Sequence, residues 1–249
     1  MSGHSHWAGI KRKKEMIDAR RGQMFSRLAK NIMSAARAGG GDPDANISLR
    51  YAIDAARAAS MPKDSIERAI LKGTGQLSGH ALEEITYEGY GPGGAAIMLT
   101  VLTDSKNRTA SEIRKIFDQH GGNLGGAGAV AWMFANKGLF TIDKTAIGED
   151  ELIELALDAG AEDVKTEGDL YEVTCPVESF QALRKAIMGR GITPTVAEIS
   201  QIPQNTVKLA ADTGRKMLKL MDGLESNDDV QHVYSNFDLP DQIMAEMAG

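Results

Sequence analysis

The segment from residue 138 to residue 200 constrains the fold most, because strand and helix patterns alternate in it in a fixed order. Its strand-like stretches are Leu139–Ile142, Asp163–Thr166, Leu170–Cys175 and Val196–Ser200. Two helical patterns lie between them, marked by Leu152, Leu155 and Ala159 and then by Phe180, Leu183 and Ile187. The order βαββαβ is that of a ferredoxin-like split unit. We therefore predict a self-contained α/β domain over residues 137–202.

The N-terminal third shows helical periodicity only. Apolar residues recur at helical spacing from Phe25 to Ala36, and Gly39–Gly41 ends that pattern. A second helix is predicted around Ser48–Ala59, and Pro62 at a first helical position starts a third that stops at Gly73. We predict a basic tail and a three-helix domain over residues 1–78.

The two segments that flank the βαββαβ unit are each too small to fold alone. The first contains strand patterns at Ile85–Tyr90, Ala95–Leu102 and Ala129–Phe134, with one helix around Ile113–Phe117. The second contains a helix around Met217–Leu224 and a last strand, Val230–Tyr234. We predict that 79–136 and 203–249 join into one α/β domain, into which 137–202 is inserted. The fold class is then α+β.

Positive charge is concentrated at the N-terminal end of an acidic chain whose formal net charge is −6. Residues 1–37 hold nine basic and two acidic residues, a net charge of +7. Residues 79–249 hold 14 basic and 27 acidic residues, a net charge of −13. This polarity is suited to a polyanion, and nucleic acid is the usual one. We predict a protein that binds nucleic acid.

The predicted binding residues lie in the basic segment. They are Trp7, Lys11, Arg12, Lys13, Lys14, Arg20, Arg21, Arg27, Lys30 and Arg37. Lysine and arginine neutralise phosphates and release counterions, which gives salt-sensitive and largely sequence-independent affinity; Trp7 could stack on a base. The alternative is a solvated tail whose Trp7 only docks on the helices. Arg108, Arg114 and Lys115 could extend the basic surface onto the second domain.

Other kinds of site find little support in the sequence. It has no serine elbow, no HExxH motif and no paired metal-binding carboxylates at helical spacing, so we expect no enzyme, metal or cofactor. The glycine-rich stretches 88–94 and 121–126 lack a P-loop ending and are predicted to be tight turns. Thr109 or Asn107 is predicted to cap a helix. Acidic clusters such as Asp228–Asp229 are predicted to be solvated at turns or helix starts.

The composition predicts a cytoplasmic protein. No run approaches the ~18 apolar residues that span a bilayer. The single cysteine, Cys175, suits a reducing compartment and is predicted to be an inert, buried packing residue. We expect neither a membrane nor a small molecule as partner, and we favour a monomer.

The chain resembles the YebC family in blocks that occur in the family's order from residue 3 to about residue 236. The first blocks are Gly3-His4-Ser5-His6-Trp7, Ile10-Lys11, Lys14, Asp18, Arg21-Gly22 and Phe25. The later ones are Tyr87–Gly94, Asn107-Arg108-Thr109, Gly121–Gly125, Gly160–Asp163 and Asp228–Gln231. Position 6 is lysine in many members and histidine here, which slightly reduces the charge of the tail.

The resemblance implies a helical domain followed by two α/β domains, one inserted in the other. It also implies a non-enzymatic regulator of gene expression, for which the family offers two mechanisms. Some members look like DNA-binding transcriptional regulators, whereas others are linked to translation and to stalled ribosomes.

Neither mechanism is selected by the sequence. Sequence-specific recognition of duplex DNA is disfavoured, because the third predicted helix carries few side chains that could contact base edges besides Arg68. A ribosome-bound factor fits the charge division better, because a basic tail can bind rRNA while the acidic part faces solvent or basic ribosomal proteins. We predict a transcriptional regulator that binds DNA through its basic N-terminal region, with a ribosome- or rRNA-binding translation factor as the alternative. A protein-interaction scaffold would leave the tail without a role.

Overall fold

The computed structural model describes residues 18–77 and 82–239, and within them the side chains of all residues except 18–21 and 167. Helices α1 (Asp18–Gly39), α2 (Ile47–Ala58) and α3 (Lys63–Gly73) come first. They pack around one apolar cluster, whose members include Ile32, Leu49, Ile53, Ala56 and Ile66. Asn46 caps α2 by accepting from the amide of Leu49 at 3.1 Å. The three-helix prediction is confirmed, with Pro62 at the N-cap and not at the first helical position.

A four-stranded antiparallel sheet forms the centre of the molecule, in the order β3-β1-β2-β9. Its strands are β1 (Glu83–Tyr90), β2 (Ala96–Thr103), β3 (Asn123–Leu124) and β9 (Val230–Ser235). Two helices, α4 (Lys106–Gln119) and α7 (Ala211–Glu225), cover one face and share its apolar core. Because β9 pairs with β2, the last part of the chain belongs to the same sheet as residues 83–124.

The second sheet has the order β5-β6-β4-β7, all antiparallel. Its elements are β4 (Phe134–Asp143), α5 (Glu149–Asp158), β5 (Asp163–Glu167), β6 (Leu170–Cys175), α6 (Phe180–Gly189) and β7 (Val196–Pro203). Helices α5 and α6 contribute to its separate core, in which Cys175 is fully buried as predicted. The βαββαβ order and the α+β class are confirmed. The exact domain boundaries remain a prediction. The division of the strands between the two sheets supports it.

The predicted strand Ala129–Phe134 is wrong. Residues Ala131–Met133 form a 3₁₀ turn, and Phe134 is already the first residue of β4. The stretch is apolar because Val130 is fully buried, but the amides of Val130 and Ala131 donate to the carboxylate of Glu88 and not to a strand. The third strand of the sheet is instead Asn123–Leu124, which pairs with the end of β1.

Two smaller differences concern the ends of elements. Helix α4 begins at Lys106 after Ser105, so neither Thr109 nor Asn107 is its N-cap. The sequence pattern also missed the short parallel pair β8 (Val207–Lys208) and β10 (Phe237–Asp238). The glycine turns are confirmed, since Gly93 and Gly121 have φ of 78° and 77°. None of the helices in the described ranges is long and apolar enough to cross a membrane.

Candidate nucleic-acid interface

The predicted basic site is only partly covered by the described residues. Trp7 and the cluster Lys11–Lys14 lie outside them. Arg20 and Arg21 lie in the first turn of α1, where the backbone alone is described. Side chains are therefore placed for three predicted residues, which all lie on α1: Arg27, Lys30 and Arg37.

Lys30 links α1 to the turn that precedes β9. Its Nζ lies 2.5 Å from Oδ1 of Asp229 and also donates to the carbonyl oxygen of Asp228 at 2.8 Å. The Lys30 side chain is only 16% exposed. Its ammonium group is thus occupied by partners within the protein, which distinguishes it from a lysine that is free to meet a phosphate.

Asp229 is the buried centre of a polar cluster, which we call the Asp229 cluster (Lys30, Thr103, Arg108, Thr109 and Asp229). Besides Lys30, its carboxylate accepts from Thr109 Oγ1 at 2.6 Å, from Arg108 Nη2 at 2.8 Å and from Thr103 Oγ1 at 3.2 Å. The cluster joins α1, the end of β2, the first turns of α4 and the start of β9. It thereby fixes α1 against the central sheet and α4.

Local backbone geometry directs the Asp229 carboxylate into this cluster. The Asn227 side chain accepts from the amide of Asp229 at 2.9 Å, and the Asp229 carbonyl accepts from the amide of Leu102 at 2.8 Å. Burial by itself raises the pKa of Asp229. The hydrogen bonds from Lys30, Thr109 and Arg108 together lower it by more than burial raises it, so the net pKa is far below the ordinary aspartate range. The carboxylate is therefore ionised throughout the physiological range.

Arg108, one of three residues that could extend the basic surface, is largely neutralised by its neighbours. It contacts Asp229 at 2.8 Å and Asp104 at 3.0 Å, and both carboxylates raise the pKa of its guanidinium group. Arg37 donates to the carbonyl oxygen of Leu82 at 3.3 Å. Arg114 and Lys115, in contrast, are exposed on α4.

A cleft of about 1210 Å³ lies between α1 and the central sheet, next to the Asp229 cluster. Its charged lining residues are four basic and four acidic: Lys30, Arg37, Lys72 and Arg108, and Asp104, Glu112, Asp228 and Asp229. Since the two signs balance, the cleft does not present the one-signed surface that attracts a polyanion. Of the net charge of +7 on residues 1–37, +4 comes from residues before Arg27, which hold six basic and two acidic residues.

Among the buried carboxylates that sequence reasoning missed, Asp229 and Glu88 each accept several hydrogen bonds. Asp229 was predicted to be solvated but is only 5% exposed, and Glu88 was noted only as part of a glycine-rich turn. Both lie in blocks that carry the family resemblance. A further signal was the strand pattern next to each carboxylate: β9 begins at the residue after Asp229, and Glu88 lies within β1. Where the sheet buries such a carboxylate, it needs hydrogen-bond partners.

Comparison with known proteins gives matches along nearly the whole chain. Residues 5–76 match the family described as TACO1/YebC protein N-terminal domain, and residues 82–237 match TACO1/YebC second and third domain. A relative from Syntrophobacter fumaroxidans, named probable transcriptional regulatory protein, is 54% identical over 249 residues, with 100% of both chains covered. A relative of the same name from Dictyoglomus turgidum is 53% identical, again with 100% of both chains covered. The crystal structure of a conserved hypothetical protein from Aquifex aeolicus matches with a TM-score of 0.80 at 42% identity, covering 90% of this chain and 92% of that chain.

Proposed function

Because this chain belongs to the TACO1/YebC family, we propose that it is a regulator of gene expression that acts by binding nucleic acid and not by catalysis. The names of its relatives support a regulatory role. The single observation that carries the nucleic-acid part is the net charge of +7 on residues 1–37 of a chain whose total is −6. We further propose that it works in the cytoplasm.

We assign the binding to the basic N-terminal region, and we propose DNA as the target. The contacting residues would be Trp7, Lys11, Arg12, Lys13, Lys14, Arg20, Arg21, Arg27 and Arg37. Lys30 is left out because its ammonium group already contacts Asp229 and Asp228. A set made of phosphate contacts positions a protein on DNA without reading the sequence. Such a regulator would have weak sequence preference.

The second candidate function is a translation factor that binds the ribosome. It is favoured by the net charge of −13 on residues 79–249, which is compatible with a surface of basic ribosomal proteins. In this case the same tail would contact rRNA through its backbone and shape.

Competitive binding separates the two functions. The purified protein would be offered its own ribosomes and fragmented genomic DNA together, over a series of salt concentrations. Preference for DNA supports the transcriptional role, whereas preference for ribosomes that persists at physiological salt supports the translational one.

A tail variant tests the proposed binding residues. Lys11→Ala, Arg12→Ala, Lys13→Ala and Lys14→Ala together should weaken binding to either target. Since each phosphate contact contributes about 0.9 to the slope of log K against log salt on duplex DNA, the slope should fall by roughly 3 to 4. The matched control replaces four exposed lysines of the α/β part with alanine: Lys185, Lys208, Lys216 and Lys219. If the tail variant keeps both affinity and salt slope, the tail is not the binding element.

A further inference from the structure

The loop between β3 and β4 presents a tryptophan to solvent. Trp132 is 65% exposed, the largest exposure among the large apolar side chains of the described residues. The surrounding stretch 121–136 contains no charged residue and consists largely of glycine and alanine. Trp132 is therefore preceded in sequence by small, uncharged residues.

A buried carboxylate holds this loop in place. Glu88, only 6% exposed, accepts from the amides of Gly128, Val130 and Ala131 at 2.7 Å each. Burying a carboxylate is costly unless it is fully hydrogen-bonded, and these three bonds are charge-assisted. The loop backbone on both sides of Val130 is thus fixed to the central sheet immediately before Trp132.

Further contacts support the same loop. The Tyr90 hydroxyl donates to the carbonyl of Ala129 at 2.9 Å, and the Val130 side chain is fully buried against the sheet. The indole Nε1 of Trp132 also donates to the Ala129 carbonyl, at 3.2 Å. The indole N–H is thus used within the loop, while most of the ring surface remains exposed. A single exposed apolar residue is ordinary, but one on a loop fixed by a buried carboxylate is pre-organised to bind.

The surroundings of Trp132 favour a nucleobase over a protein partner. Protein interfaces need a contiguous surface of roughly 800 Å² on each side with an apolar centre. The exposed residues that precede Trp132 in its loop are small, with Gly126, Ala127, Gly128 and Ala131 among them. One flat aromatic ring among small neutral residues matches a single unpaired base, whose stacking needs no charge and little area.

We propose that Trp132 stacks on an unpaired nucleobase of the nucleic acid that this protein binds. The proposal rests on the proposed function and adds to it a contact that is separate from the basic tail. The tail supplies electrostatic affinity, whereas Trp132 supplies a preference for single-stranded over fully paired segments.

Binding to short oligonucleotides tests the proposal. The probes are a fluorescently labelled 12-nucleotide single strand and the duplex of the same sequence, measured by anisotropy over a salt series. Trp132→Ala should weaken single-strand binding about 10-fold, the size expected for the loss of one stacked base, with little change in salt slope or duplex binding. Trp132→Phe should retain most of the affinity. Ile47→Ala is the matched control, since Ile47 is 64% exposed on α2.

Fluorescence provides a second readout that does not depend on affinity. The chain has two tryptophans, so the emission of Trp132 is obtained as the difference between the unmodified protein and Trp132→Ala. Titration with the single strand should quench its emission, and an abasic strand of equal length should bind without quenching. Unchanged single-strand affinity in Trp132→Ala, or equal emission with both strands, overturns the stacking proposal alone. Failure of the unmodified protein to bind either probe at any salt concentration overturns the proposed function as well.

Discussion

At the scale of single residues, Asp229 has the largest structural consequence. It is a buried, ionised side chain whose carboxylate holds Lys30 of α1, Arg108 and Thr109 of α4 at once. Breaking a buried ion pair leaves the remaining charge without compensation, which costs more than the intact pair contributes. The neighbouring Asp228 is exposed, so the two adjacent aspartates provide a natural comparison.

We predict that Asp229→Asn lowers the free energy of unfolding by about 3 kcal/mol, the range for removing one partner of a buried ion pair. Asp228→Asn, at an exposed position, should change it by less than about 0.5 kcal/mol. Urea denaturation of both variants measures the difference. Equal effects of the two substitutions would contradict the role assigned to the Asp229 cluster.

The difference between the unmodified protein and Asp229→Asn should also depend on pH. The folded-state pKa of Asp229 is lowered, so its contribution is present above the unfolded-state pKa of about 3.9. As the pH falls below that value the unfolded chain binds the proton first, and the contribution is lost towards the folded-state pKa. The difference should be constant from pH 7 to pH 5 and narrow below about pH 4.

At the scale of elements, the loop before β4 shows how one side chain decides a local conformation. Its apolar sequence is typical of a strand. The amides of Gly128, Val130 and Ala131 cannot pair with a neighbouring strand, however, because they donate to the carboxylate of Glu88. Burial raises the pKa of Glu88, and the three backbone hydrogen bonds lower it more, so the net pKa lies below the ordinary glutamate value. The acceptor therefore stays charged at neutral pH.

We predict that Glu88→Gln loosens this loop. The amide replaces one acceptor oxygen with a donor, which leaves at least one buried backbone N–H without a partner at a cost of about 1–3 kcal/mol. Hydrogen exchange at Gly128, Val130 and Ala131 should accelerate, and thermal stability should fall. Glu84→Gln is the control, because Glu84 is exposed on the same strand. Unchanged exchange at the three amides would show that other contacts hold the loop.

At the scale of the whole molecule, the two sheets differ in whether their cores are built from one continuous segment or from two segments far apart in the chain. The core of the second sheet is built from residues between Phe140 and Ala197 only. The central sheet instead needs β9 beside β2 and α7 in its core, and both come from the last part of the chain. This difference supports the proposed division into 1–78, 79–136 with 203–249, and an inserted 137–202.

We predict that a fragment of residues 137–202 folds cooperatively by itself, because it retains its own core, although a domain of this size is only marginally stable. A fragment of residues 79–136 should remain unfolded, since it lacks β9 and α7. Circular dichroism and thermal melting of the two fragments provide the measurement. A folded 79–136 fragment, or an unfolded 137–202 fragment, would contradict the division.

The sequence by itself determined the features that depend on local pattern. Periodicity placed the three N-terminal helices and the βαββαβ order, because the burial of one face repeats with the period of each element. The charge count gave the polarity of the chain, since formal charge needs no coordinates. The proposed binding residues rest on that count.

Only the tertiary structure decided which polar side chains are partners. Lys30 and Asp229 are 199 residues apart in sequence, and Glu88 lies 42 residues before Val130. Nothing in the local pattern of either segment specifies such a contact, which exists only after β9 has paired with β2 and the loop has folded over β1. The same packing left Trp132 exposed, which its apolar neighbourhood in sequence did not indicate. Local periodicity reports which face is buried, whereas the hydrogen bonds of a buried charge are set by whatever chain folding brings beside it.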